Sequence, residues 1–301
     1  MRSSQQPLSR ILAGICLLGI FASSASYAQF FRVPAAEVPE VVQMPRPTAA
    51  QLEQAEVARQ AMLAGLDAAD RAIFDTYPYL LQITPRPDVN SATVPNLAAF
   101  FEAKHAANKE VAAAGNSEVL FMGDSITDFW RNEEGAFAGK PIQDEYFGDL
   151  AIANFGIAGD TTEGVLYRLE NGEGEGFAPK AVMLMIGTHN TARNIPGEIA
   201  EGVGAVVLSL QRHFPEAKIL LLGVFPRSTP DSKARRDVAE INAIIQRLHD
   251  GEKVFYKDIS AVFLDDAGNI PPEVMSDGLH PSTAGYRLWA EAVNDDLRAL
   301  L

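Results

Sequence analysis

The chain of 301 residues is long enough for one medium-sized domain with an extension, or for two small domains. Its 47% apolar and 21% charged residues are typical of a folded globular protein and argue against disorder. The formal net charge of −14 argues against a nucleic-acid partner, because a phosphate backbone selects for clustered lysine and arginine.

The first 28 residues have the features of a secretory signal peptide. Their start is positively charged, residues 11–21 are apolar, and residues 26–28 (Ser-Tyr-Ala) fit a cleavage site. The apolar run is short for a membrane span, although an uncleaved N-terminal anchor is the alternative. Cleavage would remove the single cysteine, Cys16, which suits an oxidising compartment. We therefore expect an exported protein, periplasmic or secreted, with no transmembrane segment after signal removal.

Residues 29–95 are expected to form an extension in front of the main domain. Four prolines between residues 34 and 47 indicate an extended linker. Thr48 is a candidate N-cap for a helix that continues to about Thr76, and residues 77–95 are expected to be irregular. We expect this helix to pack on the main domain, in preference to forming a separate binding module.

From residue 96 to residue 301 the pattern alternates between helices and apolar strands. Helices are predicted over about 96–114, 196–214, 233–250 and 281–301. Five apolar runs have the length and composition of parallel strands buried on both faces: Glu118–Gly123, Ala151–Phe155, Ala181–Ile186, Lys218–Val224 and Lys253–Lys257. This alternation predicts an α/β fold with a mostly parallel sheet, whose active site lies beyond the carboxyl ends of the strands.

Two of these strand ends are followed by residues suited to acyl chemistry. After the first strand, Gly123-Asp124-Ser125-Ile126 places Ser125 near a helix N-terminus, where free N–H groups favour a developing negative charge. After the second strand, Gly159 can bring a backbone N–H close to a ligand. Taken singly, Ser125 could be an ordinary N-cap and Gly159 an ordinary turn residue.

Two further motifs contain histidine. Gly187-Thr188-His189-Asn190 follows the third strand, where polar side chains can donate to an oxyanion. Before the last helix, Asp277 precedes His280 by three residues on a turn. A carboxylate at that spacing can reach the Nδ1–H of the histidine and leave Nε2 free to take a proton from serine. The alternative is a turn followed by a surface histidine.

In this combination and order, the motifs resemble those of the SGNH, or GDSL, hydrolase family. The resemblance covers roughly residues 96–301, and segments 119–125, 154–162 and 221–227 are most similar to the branch of platelet-activating-factor acetylhydrolase catalytic subunits. It implies a flavodoxin-like three-layer α/β/α sandwich with a five-stranded parallel sheet. It also implies Ser125 as nucleophile, Asp277 and His280 as the rest of a triad, and the backbone N–H groups of Ser125 and Gly159 as oxyanion donors. No cofactor is required.

The third motif departs from the family pattern, which has Gly-Thr-Asn. His189 stands at the position of the oxyanion-hole asparagine, and Asn190 follows it. Three alternatives remain at this point: His189 donates, Asn190 swings in, or the oxyanion hole is weakened. Loss of one donor typically costs about 2.7–4 kcal/mol of transition-state stabilisation.

Several other functional motifs are absent from the sequence. The chain has no Gly-x-Ser-x-Gly motif, no phosphate-binding loop and no His/Asp/Glu cluster that predicts a metal. The remaining histidines, including His105, are expected to be structural or surface residues. Residues 172–176, with three glycines and two glutamates, are expected to form a flexible acidic loop.

The sequence therefore predicts a serine esterase that removes a short acyl group, acetyl in the first place, from a carbohydrate or lipid ester through an acyl-enzyme intermediate. One alternative is a catalytically weakened protein that binds acetylated glycans on the same fold, and His189 motivates it. Another is an O-acyltransferase with the same triad. The oligomeric state is left open.

Overall fold

A five-stranded, fully parallel sheet forms the centre of the protein. The computed structural model describes residues 33–81 and 89–301, so the predicted signal peptide lies outside the described residues. The strands are β1 (Val119–Gly123), β2 (Ile152–Asn154), β3 (Ala181–Met185), β4 (Lys218–Leu222) and β5 (Val254–Lys257). Their order, β2-β1-β3-β4-β5, is that of flavodoxin-like folds. All five predicted strands are confirmed, each within two residues at either end.

The helices alternate with the strands as the sequence predicts. They are α1 (Ala49–Ala64), α2 (Ala68–Thr76), α3 (Glu102–Ala114), α4 (Ser125–Asp128), α5 (Lys140–Phe147), α6 (Thr162–Arg168), α7 (Pro196–His213), α8 (Lys233–Ile245) and α9 (Thr283–Ala299). The predicted helix over 96–114 begins later than expected, because residues 99–101 form a 3₁₀ turn before α3. Helix α5 was not predicted.

Successive residues of each strand enter two different cores, one on each face of the sheet. In β1, Leu120 and Met122 pack with α6, α7 and α8, whereas Val119 and Phe121 pack with α5 and α9. Trp289 of α9 is fully buried in the second core. Because helices cover both faces, the strands are apolar throughout, which is the pattern that predicted them.

The N-terminal extension attaches to the main domain through its linker and not through its helices. Val42 is 1% exposed and lies in the core beside α7. Thr48 caps α1 as predicted, and the structure shows a capping box with Gln51. Neither α1 nor α2 buries a residue, and Val57 in the apolar stripe of α1 is 65% exposed. The expectation that this helical region packs on the main domain is therefore wrong, because its apolar stripe is too irregular to form a buried face.

Two negative findings apply to residues 33–81 and 89–301. None of the helices there is both long and apolar enough to cross a membrane. No group of three or more His, Cys, Asp or Glu side chains in the same ranges is arranged to hold a metal ion.

Candidate active site

Ser125 lies at the turn from β1 into α4. The turn is tight because Gly123 has no side chain: a Cβ there would lie 2.3 Å from the carbonyl oxygen of Met185 on the neighbouring strand. Asp124 caps α4, with Oδ1 accepting the backbone N–H of Ile126 at 3.0 Å. Ser125 is therefore the first residue of the helix, beside its free N–H groups, and it is 3% exposed.

The hydroxyl of Ser125 meets the imidazole of His280, 155 residues further along the chain. Ser125 Oγ lies 2.9 Å from His280 Nε2, and His280 Nδ1 lies 2.6 Å from Asp277 Oδ2. The other carboxylate oxygen of Asp277 accepts the backbone N–H groups of Leu279 at 3.0 Å and His280 at 2.8 Å. The three side chains thus form a continuous chain of hydrogen bonds, with acid and base joined in a single turn.

The charge of Asp277 determines the tautomer of His280. Burial acts to raise the pKa of Asp277, but the hydrogen bonds that it accepts from the backbone and ring of His280 outweigh burial and hold the pKa below its ordinary value. The ionised carboxylate accepts the Nδ1–H, so that Nε2 carries the lone pair that faces Ser125. This is the arrangement that a general base needs.

The last helix is joined directly to the turn that contains Ser125. The hydroxyl of Tyr286 on α9 donates to the carbonyl oxygen of Ile126 at 2.7 Å, and Tyr286 is fully buried. The Asp277–His280 turn precedes α9, and the carbonyl of Gly278 within it accepts the N–H of Ser228 at 3.1 Å. Ser228 has a left-handed φ of 61°. The position of His280 therefore depends on contacts from both the β4 loop and α9.

Gly159 lies in a tight turn after β2. Asp160 N–H donates to the carbonyl of Ile157 at 3.0 Å, and the φ of Gly159 is +89°, as at the third position of a type II turn. The N–H of Ala158 donates to Asp128 Oδ2 at 2.9 Å, which ties this turn to α4. Gly159 N–H itself donates to no atom within the described parts of the chain. The turn therefore holds a backbone donor that is free to bind a ligand.

His189 and Asn190, the two candidates for the remaining oxyanion donor, differ sharply in their contacts. Asn190 is fully buried: its amide donates to Glu163 Oε2 at 2.8 Å and to Thr162 Oγ1 at 3.2 Å, and accepts from Thr162 N at 3.0 Å. Both of its amide protons are therefore engaged. His189 Nε2, in contrast, is buried without a hydrogen-bond partner among residues 33–81 and 89–301. These contacts favour His189 over Asn190 as the candidate for the remaining oxyanion donor.

His189 also shares its surroundings with the triad. Burial lowers its pKa below the ordinary value of 6.5, and the positive charge of Arg227 acts in the same direction. The ring is consequently neutral at neutral pH and holds one N–H. A neutral imidazole can donate one hydrogen bond to an oxyanion.

The family relationship follows from residues 121–288, which match the GDSL-like lipase/acylhydrolase family over more than half of the chain. The chain belongs to this family. As a member, it is a carboxylic-ester hydrolase, and the matched segment contains Ser125, Asp277 and His280 together with the β2 and β3 loops.

Individual relatives agree with the family. The platelet-activating factor acetylhydrolase IB subunit alpha2 of Rattus norvegicus is 35% identical over 185 residues, which cover 61% of this chain and 77% of the relative. A solved GDSL-like lipase from Bacteroides thetaiotaomicron aligns with a TM-score of 0.54 at 18% identity, over 67% of this chain and 98% of its own. A Streptococcus pneumonia protein described as a platelet activating factor gives the same TM-score at 24% identity, over 65% and 92%. At these identities the two structures show the fold alone.

The structure adds two aromatic residues to the site of this acylhydrolase that the sequence did not single out. The rings of Phe129 and Phe137 lie 5.1 and 5.2 Å from the ring of His280, and 6.0 Å from each other in a stacked arrangement. They restrict the imidazole to the orientation in which Nε2 meets Ser125. The only sequence signal for them is their position in the segment after the nucleophile turn.

Asp124, which directly precedes Ser125, has an unusual charge state. It is fully buried, and its Oδ2 has no hydrogen-bond partner in the described ranges. Burial raises its pKa from 3.8 to about 7. The protonation of this N-cap therefore changes near neutral pH, directly beside Ser125.

Proposed function

We propose that the protein hydrolyses short-chain carboxylic esters, acetyl esters in the first place, with Ser125 as nucleophile, His280 as general base and Asp277 as the acid that orients it. The supporting observation is the hydrogen-bonded series from Ser125 Oγ to His280 Nε2 at 2.9 Å and from His280 Nδ1 to Asp277 Oδ2 at 2.6 Å. Nucleophile, base and orienting group are in the relative positions that acyl transfer requires.

In the first step, His280 Nε2 takes the proton of Ser125 Oγ while this oxygen attacks the carbonyl carbon of the ester. The carbonyl oxygen becomes an oxyanion, which accepts hydrogen bonds from the backbone N–H groups of Ser125 and Gly159 and from Nε2–H of His189. When the tetrahedral intermediate collapses, the bond to the leaving oxygen breaks and His280 returns its proton to the departing alcohol.

The second step repeats this sequence with water as the nucleophile. His280 removes a proton from water as the water oxygen attacks the acyl carbon bound to Ser125. Collapse of the second tetrahedral intermediate releases the carboxylic acid and returns the proton to Ser125 Oγ. All proton transfers use groups of this chain, and the imidazolium is stabilised each time by Asp277.

The acyl group and the location are supported by the sequence. The relative from Rattus norvegicus that is 35% identical is an acetylhydrolase, which supports a short acyl group. The signal-like first 28 residues support an exported enzyme, and an exported enzyme encounters O-acetylated carbohydrates and lipids. N-terminal sequencing of the exported protein should give Gln29 as its first residue; an unchanged Met1 would refute export by cleavage.

The test is hydrolysis of p-nitrophenyl esters by the purified protein and by Ser125→Ala. We expect acetate to be the best substrate in a series of increasing acyl length, and Ser125→Ala to lose at least about 1,000-fold in kcat. Ser209→Ala is the matched control, because Ser209 on α7 is also a buried serine but donates to Glu170 at 3.0 Å and has no contact with His280. Hydrolysis that survives Ser125→Ala would refute the serine mechanism, and a preference for long acyl chains would refute the substrate class.

A further inference from the structure

A buried ion network is attached to the turn that contains Gly159. Arg168, at the end of α6, is fully buried. Its guanidinium donates from Nε at 3.0 Å and from Nη2 at 2.8 Å to the same oxygen, Oδ2, of Asp160. Asp160 is the residue directly after Gly159 and is itself fully buried. The side chain that follows the candidate oxyanion donor is thus held by two charge-assisted hydrogen bonds.

The other end of the network reaches α3. Arg168 Nη1 pairs with Glu173, which is fully buried and not part of a flexible acidic loop as the sequence suggested. Glu173 Oε1 in turn lies 2.8 Å from Nδ1 of His105 and accepts from the amide of Asn108 at 3.2 Å. The Gly159 turn is therefore connected through consecutive buried side chains to a helix on the outside of the sheet.

The remaining contacts of Asp160 also fix its carboxylate. Oδ1 accepts the N–H of Thr161 at 2.8 Å. Gly164 on α6 leaves the space that this carboxylate fills, since a Cβ there would lie 1.9 Å from Asp160 Oδ1. Burial raises the pKa of Asp160 above its ordinary value, and the charge of Arg168 opposes this rise. The sequence thus provides a space that fits the Asp160 carboxyl group.

A network of this kind is a poor means of stabilising a fold. Burying one guanidinium and two carboxylates removes three charges from water, and apolar side chains of similar volume often stabilise a protein as well or better. Coulomb attraction to Asp160 and Glu173 outweighs burial and keeps Arg168 charged. The position of the network beside a free backbone donor offers a different reason for its presence.

We propose that Arg168 is a positioning residue for ester hydrolysis, which fixes the carboxylate of Asp160 and thereby the direction of the preceding Gly159 N–H. The inference rests on the proposed function of the Ser125 site. A glycine at the third turn position can adopt several backbone conformations, and a turn that relaxes would point its N–H away from the oxyanion. The hydrogen bonds from Arg168 to Asp160 restrict the backbone of this turn to one conformation.

Arg168→Met is expected to lower kcat by about 10- to 100-fold and to change KM by less than about threefold, because a displaced donor affects the transition state more than the ground state. Arg168→Lys keeps the charge but cannot donate from two nitrogens to one carboxylate, so we expect a partial rescue of kcat. A residue that serves only to hold the fold together would not produce this division between kcat and KM.

Rates are to be expressed per reactive serine, counted by complete titration with a fluorophosphonate, so that misfolded protein does not enter kcat. Arg212→Met is the matched control: it removes an arginine that pairs with Glu170 at 2.9 Å on the surface, and should retain wild-type kcat. Asp160→Asn is the second test variant, in case Arg168→Met folds poorly. Asparagine has nearly the same shape as aspartate and keeps an acceptor for the N–H of Thr161.

The outcomes separate the two proposals. Loss of kcat per site in Arg168→Met or Asp160→Asn, with wild-type kcat in the control, supports positioning. Wild-type kcat per site in whichever of the two variants folds refutes it, even if the melting temperature falls. If the wild-type protein shows no Ser125-dependent hydrolysis, the proposed function is refuted, and the positioning role with it.

Discussion

Replacement of His189 by alanine should impair the oxyanion hole selectively. Both amide protons of Asn190 bind Thr162 and Glu163. Among the described residues, the hydroxyl of Thr188 and Nε2 of His189 are the buried side-chain polar atoms of the third motif without a hydrogen-bond partner. Of these two, the imidazole is the donor at the position of the family's asparagine. Alanine removes this donor, whereas His189→Asn introduces the residue that the family pattern has at this position. Comparison of the two variants therefore tests whether position 189 requires a hydrogen-bond donor.

The expected magnitude follows from the neighbouring contacts. If Asn190 moved into the space left by His189, the buried N–H of Thr162 would lose its acceptor and Glu163 Oε2 would lose its donor at 2.8 Å, at about 1–3 kcal/mol each. The free energy lost in this way would nearly equal the free energy gained from a new hydrogen bond to the oxyanion. We therefore expect His189→Ala to lose the full contribution of one donor, about 2.7–4 kcal/mol, or 100- to 1,000-fold in kcat.

The assay is hydrolysis of p-nitrophenyl acetate, with rates normalised to reactive serine. His189→Asn should remain within about tenfold of the wild type, because an amide N–H can replace an imidazole N–H. Since burial lowers the pKa of His189 below its ordinary value of 6.5, the ring is predominantly neutral at about pH 7.5 and above. The ratio of wild-type to His189→Asn rates should accordingly stay constant from about pH 7.5 upward.

Two results would contradict this account. A His189→Ala variant within threefold of the wild type would mean that His189 occupies the position without donating. An inactive wild type whose activity appears only in His189→Asn would mean that the histidine has disabled the oxyanion hole. The second result would favour a protein that binds acetylated glycans over an enzyme, and ligand binding without turnover would then be the property to measure.

Three further predictions concern the neighbouring residues. Asp277→Asn should lower kcat roughly 10⁴-fold in the ester assay, because the amide no longer enforces the tautomer of His280; retained activity would contradict the triad. Gly159→Ala should lower the free energy of unfolding in urea by about 1–2 kcal/mol, because alanine is strained at a φ of +89°. The new Cβ would add no clash, since it would lie at an ordinary 3.5 Å from Phe101. The kcat should fall at least tenfold as the turn relaxes. Asp124→Asn should gain stability relative to the wild type by about 2–3 kcal/mol between about pH 5 and pH 8. With a folded pKa of about 7, the folded wild type retains a proton that the unfolded chain releases near 3.8, so its stability declines as the pH rises through this window. Equal pH dependence in both proteins would contradict the buried acid.

The sheet was predictable from the sequence because strands that are buried on both faces consist of short, continuous runs of apolar residues. Strands such as β1 and β3 are uniformly apolar, and parallel topology places their carboxyl ends at one edge. That rule brings the loops with Ser125, Gly159 and His189 to the same edge of the sheet. The Asp277–His280 pair was predictable for a different reason, since a spacing of three residues on a turn is a local relation.

The rest of the site depends on contacts that have no local signature. Glu173 lies among glycines in a segment that looks solvated, and only the fold shows that Arg168 is buried beside it. Phe137 lies in a loop with exposed glutamates, and its stacking beside His280 follows from the path of that loop. For α1 the local signal was correct, with Thr48 as its cap, but a propensity to form a helix does not determine what the helix packs against.

Because Tyr286 contacts Ile126, the Asp277–His280 and Ser125–His280 hydrogen bonds respond differently to a shift of the last helix. Asp277 and His280 belong to one turn and share backbone hydrogen bonds, so they move as a unit and keep their separation when the end of the chain shifts. The distance from Ser125 to His280 instead spans two parts of the chain that the hydroxyl of Tyr286 joins at 2.7 Å. Loosening of the last helix would therefore separate Ser125 from His280 while the Asp277–His280 pair stays intact. Under the proposed mechanism, this separation alone would stop turnover.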